Sequence, residues 1–127
     1  MALHNLIGQE GEQAACDYLI GKGYTVRETN WRLGHLEIDI VAHERDANVL
    51  HIVEVKTRSG DVDHHDPMEA ITPKKIRNLV NAANGYLGAF DLKMAVQYDV
   101  MIITGTAPDF HIQLIEDAFQ PPLRTIR

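Results

Sequence analysis

The sequence predicts an α/β fold, a mixed five-stranded sheet flanked by helices in the order αβββαββ. Three observations carry this reading. Two stretches space their apolar residues at three and four, as amphipathic helices do. Five others are rich in β-branched and aromatic residues and are bounded by Gly, Pro, Asn or Asp. The stretches also alternate along the chain without a linker or internal repeat, so residues 1–127 read as a single domain. At 127 residues and 45 % hydrophobic content, the chain can bury a core without a disulfide or metal staple.

The first helix is expected over 8–21, where Ala14, Ala15, Tyr18 and Leu19 share a face and Gly21-Lys22-Gly23 supplies a stop. A strand follows in Tyr24-Thr25-Val26-Arg27 and Asn30-Trp31-Arg32. In 36–43 the residues alternate, with Leu36, Ile38, Ile40 and Ala42 on one face and Glu37, Asp39 and Val41 on the other. A polar turn at 44–48 leads to a third strand over 49–57, and so short a connection favours an antiparallel hairpin. Residues 59–67 read as loop. Thr72-Pro73 opens the second helix as cap and first-turn proline, and Ile76, Leu79, Val80, Ala83 and Leu87 form its stripe up to Gly88. Strands over 94–104 and 110–116 complete the sheet, with an irregular tail from about residue 117.

No apolar run approaches the roughly 18 residues of a membrane span. The first residues lack the basic start and apolar stretch of a secretory signal. A lone cysteine, Cys16, precludes an internal disulfide and fits the reducing cytoplasm; it reads as a small core residue. The net charge of −6 argues against a protein that grips nucleic acid by bulk electrostatics.

The chemistry lies in acids placed on strands that otherwise read as core. Asp39 sits inside Leu36-Glu37-Ile38-Asp39-Ile40-Val41, and Glu54 inside Ile52-Val53-Glu54-Val55-Lys56. A buried, unpartnered carboxylate costs several kcal/mol, a penalty that a shared divalent cation removes. Glu54 and Lys56, two apart, leave the same face of their strand. Two carboxylates and an ammonium converging on one spot suit phosphodiester hydrolysis. Mg²⁺ (or Mn²⁺) binds carboxylate oxygens, acidifies a water and neutralises phosphate, while a lysine orients the nucleophile or stabilises charge on phosphorus. Glu12 joins the set if the first helix packs over the site, and Gly8 and Gly11 permit a close approach. An acid-x-Lys triplet is not specific by itself, since Asp91-Leu92-Lys93 repeats it in a loop. Residue types and spacing therefore leave open a metal site or a plain Glu54–Lys56 ion pair at a sheet edge.

Gly8-x-x-Gly11-Glu12-x-x-Ala15, Asn30-x-Arg32, Glu37-Ile38-Asp39-Ile40-Val41-Ala42 and Val53-Glu54-Val55-Lys56-Thr57-Arg58, followed by Lys74-Lys75, Tyr98-Asp99-Val100 and His111-Ile112…Ala118-Phe119, together resemble the YraN-type bacterial family. That family resembles the restriction-endonuclease-like fold and, within it, archaeal Holliday-junction resolvases. The resemblance implies a PD-(D/E)xK metal-nuclease site. Asp39 and Glu54 would be metal ligands, the backbone carbonyl of Val55 would complete the metal shell, and Lys56 would be the catalytic lysine. Glu12 would match the helix glutamate of the resolvases. It further implies DNA, branched or recombination intermediates included, as substrate, and for a resolvase a homodimer carrying two sites. The sequence departs from the family pattern at Leu36, where Gly is common, and at Gln97, where an Arg commonly precedes the aromatic-Asp pair.

Arg32, Arg58, Lys74, Lys75 and Arg77 are the candidate nucleic-acid contacts, and with Lys56 they could form a locally positive rim. Lys74, Lys75 and Arg77 open the second helix and read first as a solvated face, but basic residues there gain nothing from the helix dipole, which gives a phosphate-binding role a physical reason. His64-His65-Asp66 with Asp61 and Asp63 reads as a solvated loop rather than a transition-metal site. Trp31 and Tyr24 read as packing residues before base-stacking ones. The acidic total then predicts weak, salt-sensitive, metal-dependent DNA binding. The competing reading is a non-catalytic nucleic-acid-binding or adaptor module that keeps the fold.

Overall fold

The computed structural model describes residues 2–44, 46–58 and 71–121, with side chains from residue 9 onward. The expected 59–67 loop with its histidines, and residues 122–127 of the expected tail, lie outside these residues. Helix α1 spans Ala2–Gly21, α2 spans Pro73–Ala89, and the strands are β1 Tyr24–Leu33, β2 Leu36–Glu44, β3 Val49–Arg58, β4 Ala95–Thr104 and β5 His111–Phe119. The five strands form one sheet in sequence order. Its pairs are antiparallel except β3–β4, which run parallel. A parallel pair needs a crossover of a dozen residues or more, and α2 supplies it. Thus the expected αβββαββ order and mixed sheet are present. Among the described residues, no helix is long and apolar enough to cross a membrane.

Each helix covers one face of the sheet. Ile52 packs with Leu79, Ala82, Ala83 and Tyr86 of α2, whereas the next residue, Val53, packs with Ala15 and Leu19 of α1. Successive strand residues point to opposite faces, so the two helices lie on opposite sides. The α2 stripe is rotated from the one expected. Leu79, Ala82, Ala83 and Tyr86 are its buried residues, while Ile76, Val80 and Leu87 are half-buried. Tyr86 tolerates full burial because its hydroxyl accepts from Arg27 Nε at 2.9 Å, while Trp31 meets its ring edge-on at 5.1 Å.

Strand boundaries differ modestly from expectation. The strand expected over residues 24–32 is present and runs one residue further, to Leu33, and β5 runs on to Phe119, where the irregular tail had been expected. At Phe119 the pairing with β4 ends on Tyr98, whose ring it stacks against, so burial of the two aromatics holds the extra residues in the sheet. The alternation of β2 also breaks. Ile40 and Ala42 join the α1-side core, but Ile38 packs with Val41 on the α2 side. The break falls at Asp39. There the β2–β3 pairing also stops, its last partners being Ile40 and Val53.

Candidate functional site

Where β2 and β3 part, backbone groups of β3 lose their neighbour, and a side chain replaces it. Asp39 Oδ2 accepts the Val55 N–H at 2.8 Å. Strand N–H groups lie in the plane of the sheet, so the bonded oxygen of Asp39 sits near that plane, within the fork. Glu54 is the next acid. It is buried, at 4 % exposure, and follows the alternation of β3 toward the α2 side. Lys56 Nζ lies 3.2 Å from Glu54 Oε2, as their two-residue spacing allows, and Lys75 Nζ of α2 lies 3.1 Å from the same oxygen.

The electrostatics single out Asp39. Burial first, and then the charge of Glu54, push its carboxyl up to about 6, against the smaller lowering effect of the Val55 N–H. A carboxylate whose ionisation is opposed by burial and by a second carboxylate marks a place where a cation would be stabilised.

On the α1 side of the fork, Glu12, Asp39, Val55 and Thr57 line a cleft of about 190 Å³. Glu12 accepts a hydrogen bond from Asn30 Nδ2, which draws it toward β1. Asn30 itself has a φ of 51°, a left-handed conformation that Asn tolerates better than most residues. Gly11 brings α1 close to β3. A methyl group placed there would lie 3.4 Å from Thr57 Cγ2. The sheet plane thus divides the acids, with Glu12 and Asp39 sharing the cleft while Glu54 and the lysines lie toward α2. Among the described residues no three His, Cys, Asp or Glu side chains form a ready-made metal cage. The donor set fits a hard, oxygen-seeking ion such as Mg²⁺, which keeps several waters and needs only one or two carboxylates. It does not fit a structural zinc site.

The expected basic residues fall into two groups. Lys75 is at the fork. Arg32 makes an exposed 3.6 Å ion pair with Glu37, Arg58 donates to the Thr57 carbonyl, and Lys74 and Arg77 are exposed on α2. Trp31 packs against Tyr86, and Tyr24 is buried and stacked on His51 at 4.8 Å between centroids. Cys16 is half-buried, and burial, followed by the charges of Glu12 and Asp17, pushes its thiol up.

Two interactions were not anticipated from the sequence. One is the Lys75–Glu54 contact. The other is a polar nest around Asp99, with Asp99 and His51 both fully buried. Asp99 accepts from His51 Nδ1 at 2.7 Å, Gln97 Nε2 at 3.0 Å and the Asp117 N–H at 2.9 Å. The other ring nitrogen of His51 faces Glu44 Oε1 at 3.0 Å. Ionised carboxylates only accept, so an imidazolium satisfies both contacts. Burial opposes that charge, but the hydrogen bonds and charges of Asp99 and Glu44 outweigh it and raise the His51 pKa. Gln97, at the position where the resembling family commonly has Arg, donates directly to Asp99. The signal available in the sequence was His51 itself, a polar residue on the apolar face of Val53.

Comparison with known proteins covers this whole region. The model of the uncharacterised protein family UPF0102 matches residues 11–103, a span containing Glu12, Asp39, Glu54, Lys56 and Lys75. A UPF0102 protein of Bacteroides fragilis is 48 % identical over 97 % of this chain and 99 % of its own length. Relatives of the same description in Phocaeicola vulgatus and Flavobacterium psychrophilum are 43 % and 41 % identical, over 97 % and 94 % of this chain and 99 % and 98 % of their own lengths. The fork, its lysines and the cleft beside it are therefore features of a chain that belongs to the UPF0102 family.

Proposed function

We propose that this protein is a metal-dependent nuclease that hydrolyses phosphodiester bonds in DNA, with a site of the restriction-endonuclease-like kind. The observation that carries the reading is the fork, where burial and the charge of Glu54 raise the Asp39 carboxyl while Lys56 lies 3.2 Å from Glu54. Asp39 and Glu54 would hold Mg²⁺ or Mn²⁺, with the carbonyl of Val55 between them in sequence. When bound there, such an ion supplies Lewis acidity toward a phosphate oxygen and a more acidic water.

The chain's own residues supply the rest. Asp39 is held in the sheet plane by the Val55 N–H, so its free oxygen keeps a fixed direction. Lys56, mostly buried, presents an ammonium beside Glu54, where it can orient the attacking water and offset charge accumulating on the phosphate oxygens. Hydrolysis adds the water oxygen to phosphorus and breaks the bond to the leaving sugar oxygen, which takes up a proton. Glu12, in the cleft shared with Asp39, is placed to accept a proton from water or to hold water that a cation retains. Asn30 steers that carboxylate. Exposed Lys74 and Arg77 on α2, with Arg58 at the end of β3, offer charges for the DNA backbone.

The test is incubation of the purified protein with branched, flapped, single-stranded and linear DNA, with Mg²⁺ or Mn²⁺ and with chelator. Metal-dependent cleavage is expected, and Lys56→Ala or Glu54→Gln should reduce it by roughly 100-fold or more. Cleavage that persists equally in Lys56→Ala would reveal a contaminant and remove the assignment. DNA binding without cleavage in every metal would favour a binding module instead.

A further inference from the structure

Lys75 stands out because nothing local explains where it is. It lies in the first turn of α2, where the helix dipole is unfavourable to a cation, and that turn contains no acidic residue. Thr72 caps the turn by accepting the Lys75 backbone N–H at 3.1 Å, which fixes the direction in which the side chain leaves. Its ammonium then reaches Glu54 Oε2, an oxygen already within 3.2 Å of Lys56. Two ammonium groups on one buried carboxylate oxygen are more than the Glu54 charge requires. The second is accounted for by the neighbouring carboxylate, since Asp39 and Glu54 carry two negative charges against the two lysines. Lys75 even acts on Asp39, where its charge works to lower the carboxyl pKa.

We propose that Lys75 is the resident counter-ion of the cation-free fork: a divalent cation displaces it from Glu54, and the freed ammonium then binds the phosphate of the DNA. The proposal rests on the reading of Asp39 and Glu54 as cation ligands. Lys75, rather than Lys56, is the one that leaves, for two reasons. Lys56 is tied to Glu54 by two residues of the same strand, whereas Lys75 reaches in from a different element. The Lys75 side chain is also the more exposed, at 39 % against 21 %, so it can turn outward without burying or stranding charge. With the cation in place the fork would carry a positive excess that a phosphodiester anion can neutralise, and Lys75 beside it would add to that attraction. Lys75 is therefore a positioning residue that couples cation binding to DNA binding.

The coupling has an uncommon sign, and this makes it testable without cleavage. Removing a residue of the site should improve one ligand and impair the other. Mn²⁺ affinity is measured calorimetrically on the full chain without DNA for wild type, Lys75→Ala, Lys75→Gln and Lys75→Arg. DNA affinity is measured for the same set in Ca²⁺. Lys75→Ala and Lys75→Gln should bind Mn²⁺ roughly three- to tenfold more tightly, because a competing charge is gone. They should bind DNA correspondingly more weakly, and Lys75→Arg should restore both values toward wild type. A merely structural lysine would lower both affinities or neither, and either result overturns the proposal. Glu54→Gln keeps the two readings distinguishable. If wild type binds Mn²⁺ and Glu54→Gln does not, yet Lys75→Ala leaves Mn²⁺ affinity unchanged, only the displacement idea falls. If Mn²⁺ binding is absent from wild type, the ligand reading of the fork falls and takes this one with it.

Discussion

Asp39 and Asp99 make an instructive pair. Both are aspartates in strands, both are removed from bulk water, and their environments are opposite. Asp99 has three donors: an imidazole, a side-chain amide and a backbone N–H. Asp39 has one backbone donor and faces a second carboxylate. The nest at Asp99 is electrostatically complete, and it joins β3, β4 and β5 as part of the core. At the fork the two lysines match the two carboxylates in charge, but both ammonium groups lie on Glu54, and Asp39 is held by a backbone N–H alone. An acid within a strand is thus not informative by itself. What distinguishes a structural acid from a candidate ligand is whether the surrounding chain has already satisfied it.

The largest expected effect breaks this comparison at its satisfied end. Asp99→Ala leaves His51 buried beside an empty space and strips the Asp117 N–H and Gln97 of their acceptor. A loss of about 3–5 kcal/mol is expected, read as a fall of roughly 10 °C or more in melting temperature. Asp99→Asn should cost less, since an amide oxygen can still accept. If Asp99→Ala melted within a degree or two of wild type, the nest would be an ornament and the contrast with Asp39 would collapse.

The second effect has the opposite sign. The Asp39 carboxyl is raised from 3.8 to about 6, so the folded state holds its proton more tightly than the unfolded chain does. Without divalent ions, stability should therefore be highest below about pH 4 as far as this group is concerned. It should be lost as pH rises through about 6, by an amount on the order of 1–3 kcal/mol. Asp39→Asn keeps an acceptor for Val55 N–H and removes the titration, so it should be more stable than wild type at neutral pH in chelator. Adding Mg²⁺ should stabilise wild type and leave Asp39→Asn largely unmoved. Denaturant midpoints across pH 4–7 check both statements. A wild-type curve no steeper than that of the variant would mean that neither burial nor the charge of Glu54 raises the Asp39 carboxyl.

How much of this was legible in the chain follows from what each feature depends on. The sheet and helices follow from local periodicity, and so does the convergence of Glu54 and Lys56, because a two-residue spacing in a strand fixes a shared face whatever the rest of the molecule does. The rotation of the α2 stripe was not legible, because Tyr86 enters the core only by virtue of Arg27 on a different element. Nor was the nest. His51 and Asp99 are 48 residues apart, and their meeting depends on the parallel β3–β4 register, which pairs His51 with Gln97 and Val53 with Asp99. Lys75 looked like one basic residue among several at a helix start. Only the packing of α2 against the sheet separates it from Lys74 and Arg77. Asp39 was recognisable as an acid in a core strand, but its position in the plane of the sheet required knowing where the hairpin pairing ends.

The smallest effect, and the one that separates the two regions most cleanly, is a second pH window. The His51 pKa is raised above its ordinary value of 6.5 by Asp99 and Glu44, against the opposing effect of burial. A histidine whose folded pKa is raised contributes stability that is fully present below the unfolded value and lost as pH climbs through the folded one. The Asp39 loss runs from about pH 4 through 6, and the His51 loss sets in around 6.5 and continues upward, so the fork dominates the lower window and the nest the upper. Denaturant midpoints between pH 6 and 8.5 should decline gently in wild type, and the decline should persist in Asp39→Asn. In Asp99→Asn it should flatten, because the charge that most favours the imidazolium is gone while the fork is untouched. A decline that flattened in Asp39→Asn instead would mean that the two acids share one titration, and the separation between a completed nest and an open fork would then be wrong.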